Sequence, residues 1–226
     1  VILAAVLAHL VATVALRGRG AAEAAAPTIS FPVAQPHGIF AILLTGDGGW
    51  RRIDDQIAKR LREANVPVSG FLTPDYYREM KTPDESARAL AQTIRTFSAM
   101  WKCDRVIVIG YSRGADVLPF MINRLPADAR AMIDEVALLG LEPSIDFRYH
   151  PSWIPLLHSH DPQFPVLPEA QKLRGSNVLC VYGDNEPDSI CPALASFATV
   201  VREKGGHHFA GNYRAIADTI LATAKR

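Results

Sequence analysis

Arg105-Val-Ile-Val-Ile109 runs directly into Gly110-Tyr111-Ser112-Arg113-Gly114 and on into Ala115-Asp-Val-Leu-Pro-Phe120. The first run is apolar and β-branched, as a strand buried on both faces of a sheet must be, and the last reads as the start of a helix. Between them lies the pattern G-x-S-x-G. It describes a sharp strand-to-helix turn that lifts a serine hydroxyl clear of the sheet, where a base can reach it. A β-carbon at either glycine would clash, because such a turn packs strand and helix backbones together. Five residues with three fixed positions recur by chance, and Ser112 would also serve as a plain helix N-cap. The flanking strand and helix, and the partners described below, favour the nucleophile.

Working outward, the same strand pattern returns at Ile39 to Leu44, Val66 to Phe71, Glu135 to Gly140, Asn177 to Tyr182 and Thr199 to Lys204, with a short edge strand around Thr28 to Val33. Helical spacing lies between these runs. Ile57, Leu61 and Ala64 form one stripe over Asp54 to Asn65, Thr82-Pro83-Asp84-Glu85 caps a long helix to about Trp101, and further helical pieces run to Asn123 and from Ala127. Alternating buried strands and helices predict an α/β protein, a mainly parallel sheet flanked by helices on both faces. Residues 143–175, with six prolines, break the rhythm and read as a lid-like insert. Within it His158-Ser159-His160 has strand-like spacing and no Cys or carboxylate cluster beside it, so a surface pair is expected rather than a metal site.

The chain has 226 residues, 49% of them hydrophobic, enough for one substantial core. With 24 basic and 23 acidic residues it offers no electrostatic case for nucleic-acid binding. Residues 1–26 read as a signal peptide or N-terminal anchor plus linker, because Val1 to Leu16 is almost wholly apolar and Ala21-Ala-Glu-Ala-Ala-Ala26 offers cleavage positions. Residues 27–226 then form a single domain. Export permits disulfides, and a bond between Cys180 and Cys191 would pin the segment between them, leaving Cys103 free.

Partners for Ser112 follow in the chain order acid, then histidine. Gly205-Gly206-His207-His208-Phe209 places two histidines in a glycine-rich loop after the last strand; His208 is the candidate general base and His207 the alternative. Gly183-Asp184-Asn185-Glu186-Pro187-Asp188 ends the preceding strand, with Asp188 the candidate acid, Glu186 the alternative and Asp184 a turn residue. Thr45-Gly46-Asp47-Gly48-Gly49-Trp50 follows an early strand and supplies backbone donors. The oxyanion hole is expected from the amide of Arg113 and from that of Asp47 or Gly48. No Gly-Lys-Ser/Thr ending or dinucleotide fingerprint accompanies these glycines, so a nucleotide cradle is discounted and no cofactor or metal is expected. This is the order of an α/β-hydrolase fold.

With those loops placed, the chain resembles the AcvB/VirJ family of bacterial virulence proteins over most of its length after the leader. The resemblance is carried by Gly46-Asp-Gly-Gly-Trp-Arg51, Gly110-Tyr-Ser-Arg-Gly-Ala-Asp-Val-Leu-Pro-Phe120, Asn123-Arg-Leu-Pro126, Tyr182-Gly183 with Glu186, Asp188 and Cys191, and Gly205-Gly-His-His-Phe209. Arg113 stands where the family is expected to carry phenylalanine. The resemblance implies a periplasmic serine ester hydrolase acting on aminoacyl-phosphatidylglycerol, the lysyl ester above all, at the membrane surface. It also implies an association with secretion-system proteins. Trp50, Arg51 and Asp116 are the candidate substrate contacts: Arg51, like Arg52 and Arg113, for the lipid phosphate, Asp116 for an ammonium group, and Trp50, with Trp153 and Phe164, for glycerol or acyl atoms. Other readings are a general periplasmic esterase or thioesterase, and a non-catalytic accessory of type IV secretion.

Overall fold

The computed structural model describes residues 26–150, 161 and 163–224. The apolar leader up to residue 25, and Trp153, His158 and His160 of the insert, lie outside the described residues. The strands are β1 (Thr28–Phe31), β2 (Ile39–Leu44), β3 (Val68–Phe71), β4 (Arg105–Tyr111), β5 (Ile133–Leu139), β6 (Ser144–Ile145), β7 (Phe164–Pro165), β8 (Val178–Gly183) and β9 (Thr199–Glu203). Seven of them form one sheet in the order β1-β3-β2-β4-β5-β8-β9, parallel except for the edge strand β1, which runs antiparallel to β3. β6 and β7 form a separate antiparallel pair.

Parallel neighbours need crossovers, and helices provide most of them: α1 (Arg52–Glu63), α2 (Thr73–Tyr76), α3 (Pro83–Trp101), α4 (Arg113–Asn123), α5 (Ala127–Ala131) and α6 (Val166–Gln171); α7 (Tyr213–Thr223) follows the last strand. The α3 boundaries follow from its capping chemistry. The Thr82 hydroxyl accepts from the Glu85 amide at 3.2 Å, the Glu85 carboxylate accepts from the Thr82 amide at 2.7 Å, and the helix ends at Lys102 in a left-handed conformation.

Period-two alternation divides the strand side chains between two cores. Phe40, Ile42, Leu44, Val106 and Val108 pack with α3 and α4, while Ala41, Leu43, Ile107 and Ile109 pack with α1 and α7. Tyr111 belongs to the second set, which sends its ring toward the loop before α7. The insert is anchored on the first core. Phe147 and Phe164 meet Phe120 of α4 edge-on at 5.3 and 6.2 Å, so Phe164 is a packing residue.

The strand read from Glu135 starts two residues earlier, at Ile133. Glu135, read as the first residue of its strand, lies inside β5 and is fully buried. Its Oε1 accepts from the Thr223 hydroxyl at 2.9 Å, Oε2 has no hydrogen-bond partner, and burial pushes its carboxyl up to about 8. Because the folded value lies above the unfolded one, the unfolded chain releases this proton first, and the group costs stability progressively as pH rises from about 4.5 to about 8. Glu135→Gln is expected to be more stable than the parent at pH 8.5, by on the order of 2 kcal/mol, with the advantage gone near pH 5. Urea unfolding at the two pH values measures this; an equal difference at both would contradict it.

Candidate active site

All the chemistry read from the sequence collects at the carboxyl edge of the sheet, where an open α/β sheet leaves its crevice. β4 delivers Ser112 at its end, with backbone angles of φ 53° and ψ −126° that a non-glycine residue adopts only under constraint. The constraint is visible in the backbone. Ser112 N–H donates to Leu139 O of β5 at 2.9 Å, and a β-carbon on Gly114 would lie 2.2 Å from Leu44 O of β2. A β-carbon on Gly110 would lie 2.4 Å from Gly114 O. The turn is thus clamped between β2 and β5, and only glycine lets it close.

The loop after β2 is pinned by hydrogen bonds at Thr45, Gly46 and Gly49. Thr73 Oγ donates to Thr45 O at 2.6 Å, and Gly49 N–H donates to Gly46 O at 3.0 Å, so these carbonyls are occupied. A β-carbon on Gly46 would stand 3.1 Å from Ser112 Cβ, which places the loop directly beside the serine. Arg113 is the first residue of α4, and its amide precedes the ladder that begins with Ala115 and Asp116 donating to Ser112 O. Two backbone donors, on Arg113 and in the Asp47-Gly48 stretch, can therefore serve an oxyanion.

On the other side of Ser112 the structure joins His207 to Glu186. Glu186 Oε1 lies 2.6 Å from His207 Nδ1, and Oε2 accepts from Gly183 N–H at 2.5 Å. An ionised carboxylate only accepts, so Nδ1 carries the proton and Nε2 keeps its lone pair as a base. The loops holding the pair are stitched together, with Asn185 N–H donating to Gly205 O and Gly205 N–H to the Asp184 carboxylate at 2.9 and 2.8 Å. Gly140, at φ 68°, lies under the imidazole; a β-carbon there would be 2.8 Å from His207 Cε1.

The carboxylate–imidazole contact thus joins His207 and Glu186, the alternatives read from the sequence. His208 Nδ1 faces the Tyr111 hydroxyl at 2.8 Å, and Asp188, beyond the turn, is exposed with no partner among the described residues. The longer glutamate two residues earlier, folded back over its own turn, reaches the ring. Tyr111 was not singled out from sequence, although its place at the end of a strand, on the α7 face, is a signal available there. Its hydroxyl also lies 3.1 Å from His207 O, and burial raises its pKa, so it stays neutral.

Two expected substrate contacts are used internally. Asp116 is buried, its Oδ1 accepts from Glu142 N–H at 2.8 Å, and burial raises its pKa well above the usual carboxylate range. The Arg113 guanidinium is buried between the carboxylates of Asp47 and Asp146 and donates to Asp146 O at 2.9 Å. Burial works against its charge, but these two carboxylates hold its pKa above the ordinary value. Trp50 stacks on Phe31 at 4.8 Å, while Arg51 stays exposed at the start of α1. Ser112, His207 and His208 share a cleft of about 440 Å³ with Tyr111, Tyr213 and the oxyanion loop. Cys180 and Cys191 are disulfide-bonded and bracket the turn that carries Glu186, and Cys103 is free and buried. Among the described residues no cluster of His, Cys, Asp and Glu could hold a metal ion, and no helix is long and apolar enough to cross a membrane.

The family model described as bacterial virulence protein (VirJ) matches residues 38–226. The chain belongs to the VirJ family. No curated protein matches this VirJ chain at a significant level. Among solved structures it is similar to MenH from S. aureus, at 13% identity, covering 87% of this chain and 97% of that one with a TM-score of 0.60. A monoacylglycerol lipase of Paleococcus ferrophilus is similar at 14% identity over 88% and 99% of the two chains, TM-score 0.60. The thioesterase domain from the curacin biosynthetic pathway is similar at 18% identity over 86% and 94%, TM-score 0.55. At these identities the likeness shows the fold, an α/β-hydrolase fold, and nothing finer.

The pairing makes a discriminating prediction. His207→Ala should lower ester cleavage by roughly 10³-fold or more and Glu186→Gln by roughly 10²- to 10⁴-fold, whereas His208→Ala should cost only about tenfold and Asp188→Asn less. Steady-state kinetics of the four purified variants check this; a larger loss at His208 than at His207 would assign the base the other way. A second prediction concerns the disulfide, which closes a short loop of separation 11. Breaking it with Cys191→Ala should cost about 2–3 kcal/mol in urea unfolding and lower turnover as the Glu186 turn loosens. Unchanged stability and turnover would show that the turn holds itself.

Proposed function

We propose that this VirJ protein is a serine hydrolase that cleaves the aminoacyl ester of aminoacyl-phosphatidylglycerol, lysyl-phosphatidylglycerol foremost, in the periplasm. The observation that carries the reading is the convergence of a strained, exposed-turn serine with an acid-paired imidazole in one cleft. A binding module has no need of a serine held at φ 53° beside a histidine whose Nδ1 proton is fixed by a carboxylate. Membership of the VirJ family supports the choice of substrate, and the apolar leader supports export.

The steps follow from the chemistry of the groups. Ser112 Oγ attacks the aminoacyl carbonyl as His207 Nε2 takes its proton, and Glu186 stabilises the imidazolium without being protonated. The amides of Arg113 and of Asp47 or Gly48 hold the oxyanion. His207 returns the proton to the glycerol oxygen, phosphatidylglycerol leaves, and the amino acid remains as a serine ester. Water, deprotonated by the same imidazole, then attacks that ester, the proton passes back to Ser112, and the free amino acid departs. Tyr111 fixes the backbone of His207 and the ring of His208, a positioning role.

The purified protein incubated with lysyl-phosphatidylglycerol in mixed micelles should release equal amounts of lysine and phosphatidylglycerol. Ser112→Ala should lower the rate by something on the order of 10⁴- to 10⁶-fold with its circular dichroism unchanged. Cleavage of simple acyl esters with none of the lipid ester would favour a general esterase. Near-normal cleavage by Ser112→Ala would remove the nucleophile.

A further inference from the structure

A second cavity, of about 750 Å³, adjoins the serine cleft and takes no part in the steps above. Asp47, Gly48, Gly49 and Arg51 line both spaces. A substrate with its carbonyl at the oxyanion loop can therefore run its alcohol part past that loop into the larger space. One side of the space is apolar, built from Ile29, Leu72 and Pro74 with the Trp50 ring. That ring is held in place by its stacking on Phe31 and by close packing over Gly70, where a β-carbon would lie 2.5 Å from it.

The polar part of the lining carries a surplus of positive charge. Arg51, Arg78 and Arg148 line the cavity against two acids, Asp47 and Asp75. Both acids are already matched, Asp47 by the buried Arg113 and Asp75 by Arg78 at 2.6 Å. Arg51 has no ion pair among the described residues. Arg148 has among the described residues only a long one, 3.8 Å to Asp161, whose carboxylate lies 2.8 Å from the buried His150. Planar guanidinium forks recognise phosphate oxygens in pairs, and the apolar side suits hydrocarbon. A free oxyanion would use the first feature and leave the second unused.

We propose that this cavity binds the phosphodiester and adjoining acyl atoms of an anionic phospholipid, with Arg51, Arg78 and Arg148 as the specificity determinants for the alcohol side of the ester. The proposal rests on the reading of the Ser112 cleft as the place of ester cleavage for its orientation, and is independent of which acyl group is removed. It also assigns functions to Arg78 and Arg148, which lie outside every motif of the triad and its loops.

The test is direct binding, so it does not depend on turnover. Isothermal titration of the full chain is made with dihexanoylphosphatidylglycerol below its micelle concentration, dihexanoylphosphatidylcholine, and inorganic phosphate. The anionic lipid should bind at least tenfold more tightly than either of the others. Arg148→Gln and Arg78→Gln should each raise its Kd roughly tenfold, and Arg148→Lys by less, because it keeps the charge without the fork. Both side chains are substantially exposed, 46% and 76%, so their truncation leaves the fold in place, and matching thermal melts confirm it. Equal binding of the two lipids, phosphate binding as tight as the anionic lipid, or Kd values unmoved by both glutamine variants would each overturn the subsite. Failure to cleave lysyl-phosphatidylglycerol alongside the expected binding would overturn the aminoacyl reading alone.

Discussion

The carboxyl edge of the sheet is organised by one contact, the 2.6 Å approach of Glu186 Oε1 to His207 Nδ1. It fixes the tautomer of the imidazole, sets which nitrogen faces the cleft, and ties the loop after β8 to the loop after β9. The other features of that edge serve it. The disulfide brackets the glutamate's turn, the Asp184 and Asn185 contacts close one loop on the other, and Gly140 and Gly183 leave room where a β-carbon would push the ring or the loop away. A carboxylate and an imidazole this close are also self-consistent electrostatically, since a positive charge on the imidazole would be balanced by the carboxylate.

The strained serine stands at the same edge, in one cleft with that pair's imidazole. Its positive φ is stabilised by a hydrogen bond to β5 and by glycines that let α4 press against β2 and β4, so the cost of the turn is spread over the centre of the sheet. Beneath it, Arg113 joins the oxyanion loop to the insert through Asp47 and Asp146. A phenylalanine at that position, as the family resemblance leads one to expect, would join the same segments by packing. The arginine does so by charge, and leaves the backbone amide where it is needed.

Much of this was legible in the sequence, for identifiable reasons. Strands buried on both faces show as unbroken apolar runs, and Thr82-Pro83-Asp84-Glu85 states a helix start in side-chain chemistry, so the sheet and α3 could be placed closely. The elbow was legible because its glycines answer a local steric demand. The choice between neighbours was not. His207 and His208 differ only in the side to which the loop turns each ring, and Glu186 rather than Asp188 meets a ring by reach and by folding back on Gly183, which spacing does not encode. Buried charges were not legible either. Nothing in the sequence marks Asp116 and Glu135 as buried, and only the packing of Glu142 and α7 around them shows it. The arginine cavity unites residues from four separate segments, and no single window of the sequence contains it.

The most direct measurement is covalent trapping with a fluorophosphonate, read by peptide mass spectrometry on the parent protein and the two histidine variants. A single adduct on Ser112 is expected in the parent, formed at a similar rate in His208→Ala and nearly abolished in His207→Ala. Labelling of another residue, or labelling that survives loss of His207 and disappears with His208, would contradict it.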